Sequence, residues 1–244
     1  MADRFVTHYV QEDSGPVHAS FLQCEAFLEF EWLDHAFATR HSAGWLAVNP
    51  AVTLRQIHSD QVFRVNGFTD RHCEGDALVT DQIGQRIGVR TADCVPLLIA
   101  DTRRHAVAAV HAGWRGTASS IAAKTVGRIV EEFGSNPADL QIAIGAAIRV
   151  CCYEVGPEVV AQLTPFFPEW LADAYHDDLH RDSRGHRKVD LVEANRRTLI
   201  QSGVPAEQIY DGGFCTMCDA ELFHSFRRDA EDPGRMVSSI VRKS

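Results

Sequence analysis

Between residues 95 and 133 the hydrophobic pattern changes period once, and that change constrains the fold more than any other feature of the chain. Residues 95–100 (Val-Pro-Leu-Leu-Ile-Ala) and 106–110 (Ala-Val-Ala-Ala-Val) are nearly unbroken apolar runs, as expected of strands covered on both faces. From residue 117 to 133 the apolar positions Ile121, Val126, Ile129, Val130 and Phe133 instead recur at helical spacing, and Gly134 ends the segment. Doubly covered strands running into an amphipathic helix require a sheet with helix packed on it, so the reading is mixed α/β.

The rest of the chain follows the same alternation. Residues 53–57 and 62–65 read as strands around a tight His58-Ser59-Asp60 connection, and 77–80, 86–90 and 142–148 read as further strands. Asp190-Leu-Val-Glu193 has the form of a capping box, opening a helix that Gly203 stops. Residues 235–242 make a last strand with Val237, Ser239 and Val241 on one side. Residues 165–188, rich in Pro, Asp and His, read as a surface excursion or lid; His176 and His180 there are better taken as part of a solvated acidic segment than as metal ligands. No repeat or linker interrupts the pattern, so residues 1–244 are expected to form one domain.

Composition narrows the function classes. A formal net charge of −9 without a basic run argues against a nucleic-acid partner, while a small anionic ligand stays compatible because only the local field matters. The apolar stretches are too short to span a bilayer, and the Met-Ala-Asp-Arg-Phe start lacks the apolar core of a signal peptide, so a cytoplasmic protein is expected. Seven cysteines, an odd number, point to reduced thiols rather than a disulfide framework.

Three segments concentrate unusual residues where strands end. They are Arg55-Gln-Ile-His58-Ser-Asp, Gly75-Asp76-Ala-Leu-Val-Thr80 with Thr91-Ala-Asp93-Cys94-Val-Pro, and His111-Ala-Gly113-Trp-Arg115-Gly116. Taken singly, His58 reads as a turn residue, Cys94 as packing and His111 as a strand end. Together, two imidazoles and a thiolate make a sensible zinc set, and three protein ligands leave the fourth tetrahedral position open, as in catalytic sites. The separations of 36 and 17 residues match no short metal motif, so only the fold can bring the three together. In the third segment a strand runs through Gly113 and Gly116 into a helix expected from residue 117. Its unpaired amides, with the Arg115 fork, suit a phosphate or carboxylate, unless the glycines merely serve a tight turn.

His-Ala-Gly-Trp-Arg-Gly, with Thr-Ala-Asp-Cys-Val-Pro, Gly-Asp-Ala-Leu-Val-Thr and Gln-Ile-His, resembles the YfiH-like family, the multicopper polyphenol oxidoreductase or laccase-domain proteins. Tyr153-Glu-Val-Gly156, Cys215-Thr216, Ser225-Phe-Arg-Arg228 and Gly234-Arg235 extend the resemblance from about residue 56 to the C-terminus. The resemblance implies a zinc site on His58, Cys94 and His111, in a mixed β-sheet sandwiched by helices. It also implies phosphorolysis of purine nucleosides, including methylthioadenosine, with adenosine deamination beside it. Phosphate and a nucleoside would then be the partners of a monomer or small homo-oligomer. Arg115 with Gly113 and Gly116 are the candidates for phosphate, with Arg55 next. Asp76 and Asp93 are candidates to orient ligands or exchange protons, and Cys215 is a candidate pocket residue. Two departures from the family pattern stand out: Gly145-Ala146 in place of Gly-Pro, and a segment at 40–53 that looks short enough to lack a helix.

Other readings compete. Copper-dependent polyphenol oxidation would need His-x-His pairs, and none of the 12 histidines forms one, although a single site with this donor set can take copper. Cys94 with His58 or His111 as base would make a hydrolase, for example one editing peptidoglycan precursors. A non-catalytic protein with a structural zinc would need a fourth ligand, and none is evident. Cys215-Thr-Met-Cys218 is a weak metal or redox signal without a second pair, and adjacent Cys151 and Cys152 would face opposite ways on a strand.

Overall fold

A computed structural model describes residues 5–11, 17–67, 73–164, 186–231 and 233–244. Most of the expected 165–188 excursion, with His176 and His180, therefore lies outside the described residues. Its end, Arg187–Lys188 (β11), pairs antiparallel with Glu154–Val155 (β10).

The doubly covered strands form the centre of a six-stranded mixed sheet. Val95–Asp101 (β7) and Val107–Ala112 (β8) pair antiparallel, flanked by Leu140–Ile144 (β9), Ala77–Thr80 (β5), Val62–Arg64 (β4) and Ile209–Asp211 (β12). The order is β12-β9-β7-β8-β5-β4, with parallel pairs at both edges. Every residue of β7 and β8 is buried, which explains their lack of alternation. Residues 53–57 carry only one isolated bridge, at Arg55, so the expected strand there is a loop.

Helices cover one face of this sheet. The segment expected as a single helix from residue 117 is two: Trp114–Ala118 (α3) and Ile121–Phe133 (α4), with Ser120 in the left-handed region between them at φ 59°. Pro157–Leu163 (α5) and Leu191–Gln201 (α6) complete the layer. Half of the capping box forms: Asp190 Oδ1 accepts from the Glu193 amide at 2.9 Å, while the Glu193 carboxylate accepts from Arg197 Nε at 2.7 Å. Ile121, Val126 and Ile129 pack with Val95, Leu97, Ile99, Val110 and Leu199 in the helix-side core.

The other face is covered by a second sheet rather than by helices. Phe5–Gln11 (β1), Val17–Cys24 (β2), Leu33–Ala38 (β3), Ile87–Thr91 (β6) and Met236–Arg242 (β13) form an antiparallel sheet in the order β1-β2-β3-β13-β6, with the single turn of helix Glu25–Leu28 (α1) joining β2 to β3. Phe37, Ile87, Val89, Met236 and Ile240 from this sheet meet Leu78, Leu98, Val107 and Ala109 from the mixed sheet. The mixed α/β architecture is as expected, arranged as helices, sheet, sheet. In β13 the residues in this core are Met236 and Ile240, the side opposite Val237, because the strand is central and covered on both faces. The 40–53 segment does contain a helix, Ala43–Val48 (α2), of six residues. Among the described residues no helix is long and apolar enough to cross a membrane.

Candidate metal centre and adjoining pocket

The sheet pairings bring the three candidate ligands together. His111 lies on β8, Cys94 directly precedes β7, and Val95 pairs with Ala112, so Cys94 sits beside the end of β8. His58 arrives from the loop before β4. That loop is pinned because the Gln56 side chain donates to the Arg90 carbonyl at 2.7 Å and accepts from the Arg90 amide at 2.8 Å. The ligand atoms of His58, Cys94 and His111 all lie within 4.8 Å of one another, and no fourth His, Cys or carboxylate joins them among the described residues. The two imidazole rings meet edge-on, with centroids 4.8 Å apart.

Asp76 organises this arrangement from beneath, at the start of β5. Its fully buried carboxylate accepts from His111 Nδ1 at 2.7 Å and the His58 amide at 3.1 Å on one oxygen. The other oxygen accepts from the Ile57 amide at 3.3 Å, the Ser59 amide at 2.5 Å and the Ser59 hydroxyl at 2.6 Å. Burial alone would raise the Asp76 carboxyl, but the bonds from His111 and Ser59 outweigh it and hold it below the usual carboxylate range. These contacts keep His58 in the left-handed region at φ 58°. With Nδ1 of His111 committed to a carboxylate, its Nε2 is left to face a metal, the orientation second-layer carboxylates impose on zinc histidines.

The electrostatics favour a bound cation. Burial pushes the Cys94 thiol up, yet hydrogen bonds and positive charge from His111 and His58 bring it down to about 6. Burial likewise disfavours charge on His111, but Asp76 and Cys94 raise it to about 9. Cys94 therefore stands ready as a thiolate, a soft donor beside two imidazoles, which suits zinc and also copper. Gly113 leaves room for this group: a Cβ there would stand 2.7 Å from His58 Nδ1 and 3.1 Å from Cys94 Sγ. Gly113 thus serves the close approach of the ligands as well as capping α3. The donor set, the committed Nδ1 and the space kept by Gly113 all fit a metal ion with one open coordination position.

The other candidates scatter around this centre. Asp93, at φ 85°, has both carboxylate oxygens taken, by the Thr216 hydroxyl at 2.6 Å and the Arg227 amide at 2.7 Å, so it positions the Cys94 turn. Gly116 lies inside α3 rather than ahead of it, with a Cβ position 3.1 Å from the Ser59 carbonyl, so it lets the helix press on the His58 loop. Arg115 is exposed, its guanidinium 4.2 Å from the centre of the Trp114 ring. Arg55 is exposed and ion-paired with Glu74 at 2.7 Å. The Cys215 sulfur is not in this group; it sits 3.7 Å from Cys151 in a separate cluster.

A pocket of about 400 Å³ lies beside the centre, lined by Trp114, Tyr153, Glu154, Glu158, His186 and Arg227 among others. The three ligands are not in its lining, but Trp114 follows Gly113 directly. Burial and then the Cys94 charge raise the Tyr153 hydroxyl above its usual range, with Arg227, Asp93 and Arg115 also acting on it, so pocket and centre share one field. The Arg227 guanidinium lies 5.4 Å from the centre of the Tyr153 ring and donates to the Glu154 carbonyl at 2.9 Å. Trp114, Tyr153 and Arg227 were not singled out by the sequence reading, although each falls within a quoted segment. Their convergence joins segments 39 and 74 residues apart in the chain.

Residues 36–243 match the family described as multi-copper polyphenol oxidoreductase laccase. The chain belongs to that family, the YfiH-like laccase-domain proteins. Relatives in the family carry nucleoside-directed names. A purine nucleoside phosphorylase of Clostridium acetobutylicum is 34% identical over 206 residues, 84% of this chain and 82% of that protein. The purine nucleoside phosphorylase YlmD of Geobacillus stearothermophilus is 37% identical over 215 residues, 84% of this chain and 77% of that protein. The crystal structure of YlmD from the same organism superposes with a TM-score of 0.80, covering 98% of this chain and all of that one at 30% identity. Adenosine deaminase RL5, from an unknown prokaryotic organism, is 37% identical over 201 residues, 79% of this chain and 75% of that protein.

Proposed function

We propose that this YfiH-like chain is a zinc-dependent purine nucleoside phosphorylase, acting on adenosine, inosine, guanosine or methylthioadenosine, with adenosine deaminase activity at the same centre. The observation that carries the reading is the His58–Cys94–His111 group, held by Asp76 with one position open, beside an aromatic pocket of a size typical for small ligands. The nucleoside-directed names of its relatives support it.

In this reading His58, Cys94 and His111 hold the ion, and Asp76 fixes the His111 tautomer and the His58 loop. When bound, zinc would supply a Lewis acid that polarises oxygen and lowers the pKa of water. In deamination a water oxygen bonds to C6 of adenine while the C6–N bond breaks and the amino group leaves as ammonia. Trp114 and Tyr153 sandwich the purine. Arg115 and Arg227 supply the positive charge that gathers phosphate, and the donors of the first turn of α3 add to it. Glu154 and Glu158 accept from ribose hydroxyls. In phosphorolysis a phosphate oxygen bonds to C1′ while the C1′–N9 bond breaks, and the purine leaves with the bond electrons and takes up a proton. Holding phosphate and nucleoside in line is the main demand on the protein.

The test is a panel of adenosine, inosine, guanosine and methylthioadenosine, each with and without phosphate, followed by base release. Phosphate-dependent release of base is expected; its absence with all four nucleosides would overturn the proposal. One observation favours a second reading, hydrolysis by a cysteine nucleophile: the Cys94 thiol, brought down to about 6, receives hydrogen bonds from both His58 and His111.

A further inference from the structure

A second cluster of metal-ligating side chains lies outside this centre. Cys151 and Cys152 occupy a turn after β9, Cys215 and Cys218 one after β12, and the four sulfurs all lie within 4.8 Å of one another. Cys152 and Cys218 are 3.4 Å apart, Cys151 and Cys215 3.7 Å, and Cys151 and Cys218 3.8 Å. All four are free thiols. Because Cys151 and Cys152 lie in a turn and not on a strand, both can face the same partners, contrary to the expectation from sequence.

The spacing carries chemical information. Zinc–sulfur bonds of about 2.3 Å place tetrahedral sulfurs about 3.8 Å apart, since the edge of a tetrahedron is ~1.63 times its centre-to-corner distance. The three sulfur separations fall at or slightly inside that edge. Thiols are weak donors and weak acceptors, so four of them gain little from crowding in the absence of a cation. The Cys215 sulfur also receives backbone amides from Arg149, Met217 and Cys218, donors that favour a thiolate in a Cys-x-x-Cys turn. Two basic side chains brace the cysteine turns through their backbone. Arg149 donates to the Phe214 carbonyl at 3.1 Å and pairs with Asp211, and Lys188 donates to the Cys151 carbonyl at 2.8 Å.

We propose that Cys151, Cys152, Cys215 and Cys218 form a second, closed tetrathiolate site that binds a zinc ion. Four protein ligands leave no open position, so the role is structural. The ion clamps two turns that frame the candidate active centre. The 151–152 turn leads directly into Tyr153 and Glu154 of the pocket wall. The 215–218 turn carries Thr216, whose hydroxyl holds Asp93 and whose amide bonds to the Ala147 carbonyl at 3.1 Å. This assignment stands on the cysteine geometry alone and does not depend on the proposed reaction.

The test is metal analysis of the full chain purified under reducing conditions, comparing the parent with Cys218→Ser, Cys152→Ser and His111→Ala. Each cysteine variant is expected to hold one zinc fewer than the parent, whatever the parent's total. His111→Ala is expected to keep the cysteine-bound ion. Cobalt substitution gives a second readout, because the strong thiolate-to-cobalt absorption of a tetrasulfur site should fall in Cys218→Ser. Should a variant fail to fold, the parent decides: Cys151, Cys152, Cys215 and Cys218, located by mapping the labelled cysteines and counted apart from Cys94, must be shielded from a thiol reagent by zinc and released by a chelator. Equal zinc in parent and both cysteine variants would overturn the proposal, as would labelling of the four cluster thiols that zinc does not slow, iron in place of zinc, or a disulfide within the cluster in reduced protein.

Discussion

Replacing Asp76 by asparagine changes the centre without changing its shape, which makes the cost readable. The carboxylate accepts five hydrogen bonds, two on one oxygen and three on the other. An amide nitrogen at either position therefore faces at least two donors it cannot satisfy. Each buried donor left without a partner costs about 1–3 kcal/mol, so the variant should lose about 2–4 kcal/mol of stability after local relaxation. If the new amide donates towards His111, the imidazole must turn its lone pair inwards and carry its proton on Nε2, where the metal should bind. Loss of such an orienting carboxylate costs about 10–100-fold in metal affinity, or about 1.4–2.8 kcal/mol. A second signature separates this from general loosening. Asp76 helps raise His111 to about 9, so in the variant the pH at which metal affinity levels off should move down. Competition with a chromophoric chelator across pH, together with urea unfolding, reads all three effects. An Asp76→Asn protein with parental zinc affinity and the parental pH profile would refute the reasoning.

Three further outcomes follow from the same geometry. Gly113→Ala places a Cβ 2.7 Å from His58 Nδ1 on a backbone that alanine tolerates, φ −74° and ψ 173°, so zinc affinity should fall by at least ~10-fold with little change in urea midpoint. In metal-free protein between pH 6 and 9, Cys94 is already ionised while His111 still holds its proton. Metal binding then releases that proton, and affinity should rise about tenfold per pH unit over this window and flatten above it, measurable by titration calorimetry in buffers of different ionisation enthalpy. Iodoacetamide should alkylate metal-free Cys94 with half-maximal rate near pH 6, and zinc should suppress the reaction; alkylation that zinc does not slow would favour the cysteine-hydrolase reading.

Local chemistry was legible in the sequence and distant geometry was not. The unbroken apolar runs gave β7 and β8 because full burial on both faces leaves its mark on every residue. The Asp190 capping box gave the start of α6 because the cap and the amide it holds lie within one turn. The second sheet escaped notice because β13 pairs with β3 and β6, partners about 200 and 150 residues away, and nothing local encodes that register. Short polar interruptions hid the break at Ser120, where one left-handed residue splits what looked like a single helix. Residue chemistry and resemblance point to His58, Cys94 and His111 and to Asp76 as an orienting carboxylate, whereas its joint hold on His111 and the His58 loop depends on β5 lying beside β8. The cysteine cluster needed the backbone, since only a turn lets neighbours 151 and 152 face one point.

The central claim is that the Asp76-held group binds zinc and that this zinc is required for phosphorolysis. The most direct measurement is ribose 1-phosphate formation from inosine and phosphate by parent protein stripped of metal, by the same protein reconstituted with zinc, and by His111→Ala treated identically. The account predicts product only from the reconstituted parent. Equal product from the stripped parent, or from His111→Ala, would contradict it.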